Sequence, residues 1–185
     1  VSHRVTLVKG EDSKPEHSYV CRDEVWFSIP STRHSLAQGH GDFIPVFFHE
    51  IPSLIRKDIR HVDFMMVTVT PPDEHGYCNI VVSSDYTVQG IKSARTVIAE
   101  VNDQVPTVFG ETFVHVSEID AFVENSHPLF ESAPAKITEV EEAIGKNCAS
   151  LIDDGATLQL GIGAIPDAVL AQLGEKKHLG IHSEM

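Results

Sequence analysis

A chain of 185 residues, 42% hydrophobic and 22% charged, holds enough apolar side chains for one ordinary domain or one and a half. Its 14 basic against 27 acidic residues, a net charge of −13, argue against a broad nucleic-acid face, although a local basic site or a helix N-terminus can still bind an anion. The sequence has no membrane-length run of about 18 apolar residues, and its opening VSHRVTLVKG lacks the apolar run and cleavage site of a secretory signal.

Residues 1–60 are irregular and rich in Pro, His, Gly and Ser, with strands expected over 5–8, 24–28 and 45–49 and a short helix over 31–41. From residue 62 the pattern becomes regular. FMMVTV, residues 64–69, is a continuous apolar run of strand length and predicts a strand buried on both faces. Pro71, Pro72 and Asp73 stop it. A strand over 76–82, a helix over 84–94 and a strand over 96–101 follow. SEIDAFV, 117–123, predicts a short helix capped by Ser117. Residues 125–135 carry two prolines and little periodicity, which marks a linker.

The clearest helix spans 137–153. Thr138 and Glu141 fit a capping box, and Val140, Ala143, Ile144, Asn147, Cys148 and Leu151 recur at helical spacing opposite Glu139, Glu142 and Lys146. Asp154-Gly155 ends it. A strand over 157–160, the tight turn Gly161-Ile162-Gly163, a helix with Pro166 in its first turn running to about Leu173, and a strand over 179–182 complete the chain. Helix, strand, glycine turn, helix, strand is the start of an open parallel sheet. The fold class is therefore α/β, with open, mostly parallel sheets flanked by helices. An incomplete N-terminal α/β domain is expected over 1–134 and the start of a second over 135–185. With strand-like segments at both ends, the chain reads as a longer polypeptide truncated at both ends.

Two segments stand out chemically. Gln159-Leu160-Gly161-Ile162-Gly163 leads a strand through G-x-G into a helix, so backbone N–H groups converge where glycine lets a phosphate or thioester oxygen approach closely. The dinucleotide fingerprint G-x-G-x-x-G/A fails, because Pro166 stands at its last position; on pattern alone the turn equally fits a purely geometric need for glycine. Glu184 in His182-Ser183-Glu184 follows the next strand. Carboxyl ends of strands are where open α/β sheets bind ligands, yet a solvated loop acid is the plainer reading of that residue alone.

The other polar groupings read as structural. His178 and His182 lie in a strand-like stretch, where four residues span about 13 Å, too far for one ion. Neither His34 with His40 nor His115 with His127 has a supporting ligand pattern, so no metal is expected. Asp73-Glu74-His75-Gly76 reads as a polar turn and Ser83-Ser84-Asp85-Tyr86 as a helix cap. The three cysteines, Cys21, Cys78 and Cys148, form no C-x-x-C pair, which fits a reducing compartment and a cytoplasmic protein.

The blocks PSTRHSLAQGHGDFIPVFFHEIPSLI, VTPPDEHGYCNIVVSSDYT, AEVNDQVPTVFGETFVHVSEID and LQLGIGAIPDAVLAQL with HLGIHSEM, covering nearly the whole chain, resemble the acetyl-CoA hydrolase/transferase family of class I CoA-transferases. The resemblance implies a CoA-transferase-like fold of two similar α/β halves, more than twice this length. It implies acyl-CoA and small carboxylates (4-hydroxybutyrate, butyrate or acetate) as substrates, and no tightly bound cofactor, nucleic acid or membrane partner. A homodimer or homotetramer is implied as well. It makes Glu184 the catalytic nucleophile that carries a glutamyl-CoA thioester, and Gln159, Leu160, Gly161, Ile162 and Gly163 the coenzyme A contact. The family's further glycine-rich coenzyme A loop falls beyond residue 185, which implies that this chain alone is inactive. The alternatives are an acyl-CoA hydrolase using the same site and a non-catalytic CoA-binding or assembly module.

Overall fold

The computed structural model describes residues 2–5, 22–80, 84–129, 131, 133 and 135–183. The chain divides into two units, Val1–Leu129 and Phe130–Met185.

In the first unit, strands β1 (Ser2–Val5), β2 (Arg22–Val25) and β3 (Gly41–Phe43) form a parallel sheet in that order. Helices α1 (Pro30–Ala37) and α2 (Ile51–Arg56) follow β2 and β3. The strand expected over 45–49 is absent. Pro45 has no N–H to give a ladder, and Phe48–Glu50 turns as a 3₁₀ helix directly into α2, whose first turn accepts Pro52. Trp26, Ile51 and Ile55 pack beneath, with the Tyr86 ring edge-on to Trp26 at 5.0 Å.

A second parallel sheet carries the regular half of this unit. Strands β4 (Phe64–Val69) and β6 (Thr96–Val101) match the sequence expectation residue for residue. They pair in parallel with Met66 opposite Ile98, and β8 (Ala121–Glu124) adds to β6 with Ala121 opposite Ile98. Between β4 and β6, strand β5 (Tyr77–Asn79) leads toward α3 (Thr87–Ser93); β7 (Phe113–His115) later pairs antiparallel with β5. Val67, Val69, Val97 and Ala99 turn to one side and bury against Cys78, Ile80, Ile91 and Val114. The opposite face of β4 is open: Phe64 is 65% and Met66 76% exposed, so the strand is buried on one face rather than two.

The segment 117–123 is not helical. A single 3₁₀ turn, Val116–Glu118, is capped by His115, whose Nδ1 accepts from the Ser117 N–H at 3.2 Å, and the chain then extends as β8. Phe122 and Val123 favour the strand, and β6 supplies a parallel edge for it.

In the second unit, helix α4 (Glu139–Ala149) begins as its sequence dictates. The Glu141 carboxylate accepts from the Thr138 N–H at 2.9 Å and the Thr138 hydroxyl accepts from the Val140 N–H at 3.3 Å. Its inward face differs from the expected one. Gly145 and Ala149 are buried, while Val140 and Leu151 are exposed. The reason is the close approach of α5 (Ala164–Leu170): a Cβ on Gly145 would lie 2.5 Å from the Ala168 carbonyl oxygen. Strand β9 (Thr157–Leu158) precedes α5 and pairs in parallel with β10 (Gly180–Ile181), so the glycine turn and the residues after β10 leave the ladder at the same end.

Candidate functional site

The site is built from that shared carboxyl end. The ladder places Thr157 opposite Gly180 and Leu158 opposite Ile181, and its last backbone rung is the His182 N–H donating to the Leu158 carbonyl at 2.9 Å. Beyond it, one side chain takes over. The Ser183 hydroxyl accepts from the Leu160 N–H at 3.1 Å and donates to the Leu160 carbonyl at 2.8 Å. Gln159, Ile181, His182 and Ser183 line a cleft of about 420 Å³ at this end. Of the residues expected at the site, Gln159 and Leu160 are therefore brought beside His182 and Ser183, and Gly161, Ile162 and Gly163 follow Leu160 directly in the chain. Glu184 lies outside the described residues.

The turn itself requires glycine at one position. Gly163 has φ 118° and ψ −178°, a conformation that a side chain would strain, and it serves as the residue preceding α5. A Cβ there would meet nothing within 4 Å, so the backbone is open on that side. Among the described residues, the N–H groups of Gly161, Ile162 and Gly163 donate to no protein acceptor, whereas Leu160 is held by Ser183. Helix α5 ends at Leu170, short of the expected Leu173.

The remaining polar groups are engaged in structure. Asp73 accepts from the N–H groups of Tyr77 at 2.8 Å and His75 at 2.9 Å, and these bonds, the Tyr77 one foremost, hold its carboxyl below the ordinary range against an opposing effect of burial; it closes the turn into β5. Asp85 accepts from the Thr87 N–H at 2.9 Å at the start of α3, while Ser83 lies outside the described residues. Cys78 is fully buried, and burial pushes its thiol up, away from the thiolate a nucleophile needs. Cys21 falls outside the described residues. His178 has φ 57° and precedes β10 rather than lying in it. Among the described residues, no group of three or more His, Cys, Asp or Glu is arranged to hold a metal ion.

Two constellations were not legible in the sequence. One is the Ser183 clamp, whose partner is 23 residues away. The other lies at the carboxyl end of β4 and β6, where Glu100 accepts from Asn125 Nδ2 at 2.6 Å and Thr68 Oγ1 at 2.8 Å and faces His127 Nε2 at 3.3 Å. Fully buried Asn102 ties the same end, donating to the His127 carbonyl at 2.9 Å and accepting from the Gln104 N–H at 3.0 Å.

The sequence profile of the acetyl-CoA hydrolase/transferase N-terminal domain matches residues 6–131. The chain belongs to the acetyl-CoA hydrolase/transferase family. Within it, the chain is 51% identical over all 185 residues to a 4-hydroxybutyrate coenzyme A transferase of Clostridium kluyveri, of which it covers 43%. It is 42% identical over 175 residues, 95% of this chain and 39% of the relative, to a succinyl-CoA:cyclohexane-1-carboxylate CoA transferase of Geobacter metallireducens. The crystal structure of a 4-hydroxybutyrate CoA-transferase from Porphyromonas gingivalis superposes with a TM-score of 0.74 at 42% identity, over 89% of this chain and 43% of that one. The chain thus spans about 43% of the length of the first of these family members. The matched profile ends at residue 131, so the glycine turn and the Ser183 clamp lie in the stretch that the full-length relatives, rather than the N-terminal profile, align with.

Proposed function

We propose that the chain forms part of an acyl-CoA:carboxylate CoA-transferase, with Glu184 as nucleophile and 159–163 as a coenzyme A contact. The observation that carries this is the register of β9 and β10, which brings the glycine turn and the His182-Ser183 segment to one carboxyl end beside one cleft. Membership of a family whose relatives are named as CoA-transferases supports it. The 4-hydroxybutyrate name of the 51%-identical relative favours a short linear acid over a cyclic one. On the same reading the two catalytic halves divide near residues 134 and 135, the enzyme is a cytoplasmic homodimer or homotetramer, and the 185-residue chain alone does not turn over.

The chemistry follows from what transfer between two carboxylates demands. The Glu184 carboxylate adds to the acyl-CoA carbonyl, and collapse expels CoA thiolate to leave a mixed anhydride. The thiolate adds to the glutamyl carbonyl and expels the first acid, giving a glutamyl-CoA thioester. The acceptor carboxylate then adds to that thioester, expelling thiolate, and the thiolate takes the acceptor's acyl group, regenerating the carboxylate. Each addition develops an oxyanion. The N–H groups of Gly161, Ile162 and Gly163, without acceptors among the described residues, are suited to it, while the Leu160 N–H is committed to Ser183.

The complete polypeptide that carries this sequence, incubated with acyl-CoA and quenched with hydroxylamine, is expected to give a hydroxamate at Glu184 in peptide mass spectra. Glu184→Ala is expected to lower transfer by roughly a thousandfold or more. Normal turnover in that variant, or an unmodified Glu184, would sink the assignment. CoA release without an acceptor that matches the rate of transfer to acetate would make the enzyme a hydrolase.

A further inference from the structure

Ser183 bonds both backbone groups of Leu160 with its side chain. In a parallel ladder, the N–H and carbonyl of Leu160 would continue the rungs to the neighbouring strand. Here both go to a single hydroxyl, which accepts from the N–H at 3.1 Å and donates to the carbonyl at 2.8 Å. A hydroxyl is suited to this because one atom is both donor and acceptor. The two bonds tie the residue directly before Glu184 to the residue directly before Gly161. They also commit the one hydroxyl proton to the Leu160 carbonyl, which suits Ser183 to a structural role.

We infer that Ser183 is a positioning residue for the transfer reaction: its hydroxyl fastens the segment that leads into Glu184 to the residue that leads into the coenzyme A turn. The inference rests on the reading of Glu184 as nucleophile. The ladder that precedes the clamp is only two residue pairs long, β9 against β10. Such a short ladder leaves the register beyond it to whatever closes the next rung. Loss of the hydroxyl leaves both backbone groups of half-buried Leu160 without a partner among the described residues and lets the two segments move apart. A carboxylate displaced by about an ångström from its approach line loses rate, while coenzyme A binding at the N–H groups of Gly161, Ile162 and Gly163, which have no acceptor among the described residues, is retained.

The test compares Ser183→Ala, Ser183→Thr and Ser183→Cys in the complete polypeptide that carries this sequence. In Ser183→Ala, kcat is expected to fall by about 100-fold and the KM for acyl-CoA to move by less than about threefold, as for a misplaced reacting group. Rapid-quench trapping at Glu184 is expected to slow in proportion and still reach the same final occupancy. Ser183→Thr keeps the hydroxyl and is expected to restore kcat to within about fivefold of the parent. Ser183→Cys keeps the shape with a weak donor and acceptor, so a folded, slow Cys variant separates the lost clamp from a lost fold. Hydrogen exchange at the Leu160 amide is expected to accelerate in the Ala and Cys variants and not in Thr. Parent-like trapping rates in the Ala or Cys variant, or a Thr variant as slow as Ala, overturn the positioning role while leaving Glu184 as nucleophile. No trapping at Glu184 in the parent overturns both.

Discussion

Gly161 and Gly163 share one turn and answer to different forces. Gly163 sits at φ 118°, where any other residue is strained by about 1–3 kcal/mol. Gly161 has no such backbone requirement, and a Cβ on it would rest 3.8 Å from Pro166 Cγ, an ordinary contact. Gly163→Ala is therefore expected to lower the unfolding midpoint of the second unit in urea, followed by circular dichroism. Gly161→Ala is expected to leave that midpoint unchanged and to weaken coenzyme A binding in calorimetry on the complete polypeptide, because its added methyl stands only in the path of a ligand. Equal thermodynamic costs for the two variants would contradict this division. The glycines themselves were legible as a turn; which of the two the fold requires was not, since that depends on a dihedral angle and not on residue type.

Between elements, the second unit turns on Gly145. Alanine there gains about 1 kcal/mol of helix propensity, but overpacking costs about 1–3 kcal/mol. With the Ala168 carbonyl 2.5 Å from the added Cβ, backbone must shift and the larger cost prevails. Gly145→Ala is expected to destabilise the unit, measured as earlier loss of helical signal in urea. A hydrophobic pattern counts only apolar side chains, which is why the sequence pointed to Val140 and Leu151 and passed over a glycine. The same limit explains 117–123. Ser117 looked like a helix cap, whereas the segment's conformation is decided by β6, about twenty residues earlier, and by the His115 ring. Strands β4 and β6 were readable because largely apolar runs of strand length need no partner to be recognised, and α4 because its capping box is local.

Strands β4 and β6 and the segment after β8 also meet at Glu100, and this junction responds to acid. Hydrogen bonds from Asn125 and then Thr68 hold the Glu100 carboxyl below its ordinary value, against a smaller opposing effect of burial. A carboxyl with a depressed folded-state pKa adds stability that is complete above its unfolded value, about 4.3, and lost as pH falls through the folded value. Urea unfolding of the first unit, read by the single tryptophan, Trp26, is expected to weaken as the pH drops from about 5 toward 3. Glu100→Gln is expected to flatten part of that slope. Only part is expected, because the exposed Asp42 carboxyl, lowered chiefly by its hydrogen bond to Arg22, titrates in the same direction. An unchanged slope in Glu100→Gln would remove Glu100 from the account.

For the whole molecule, the open face of the β4–β6–β8 sheet matters most. Parallel sheets are ordinarily covered on both faces. Here Phe64 at 65%, Met66 at 76% and Val123 at 53% exposure stand on one uncovered side, in a chain that spans 43% of its relative from Clostridium kluyveri. The 185-residue chain alone is expected to bind an apolar dye and to sediment as concentration-dependent oligomers, with Met66→Glu reducing both. A dye-silent, strictly monomeric chain would show that this face is covered in solution.

The glycine turn and the Ser183 clamp close across only 23 residues. Contacts of such short range cost little loop entropy and form fast. That corner can therefore assemble on its own timescale during synthesis, as soon as residue 183 is free of the ribosome. Slow steps in the folding of the chain would then belong to contacts of longer range than this one.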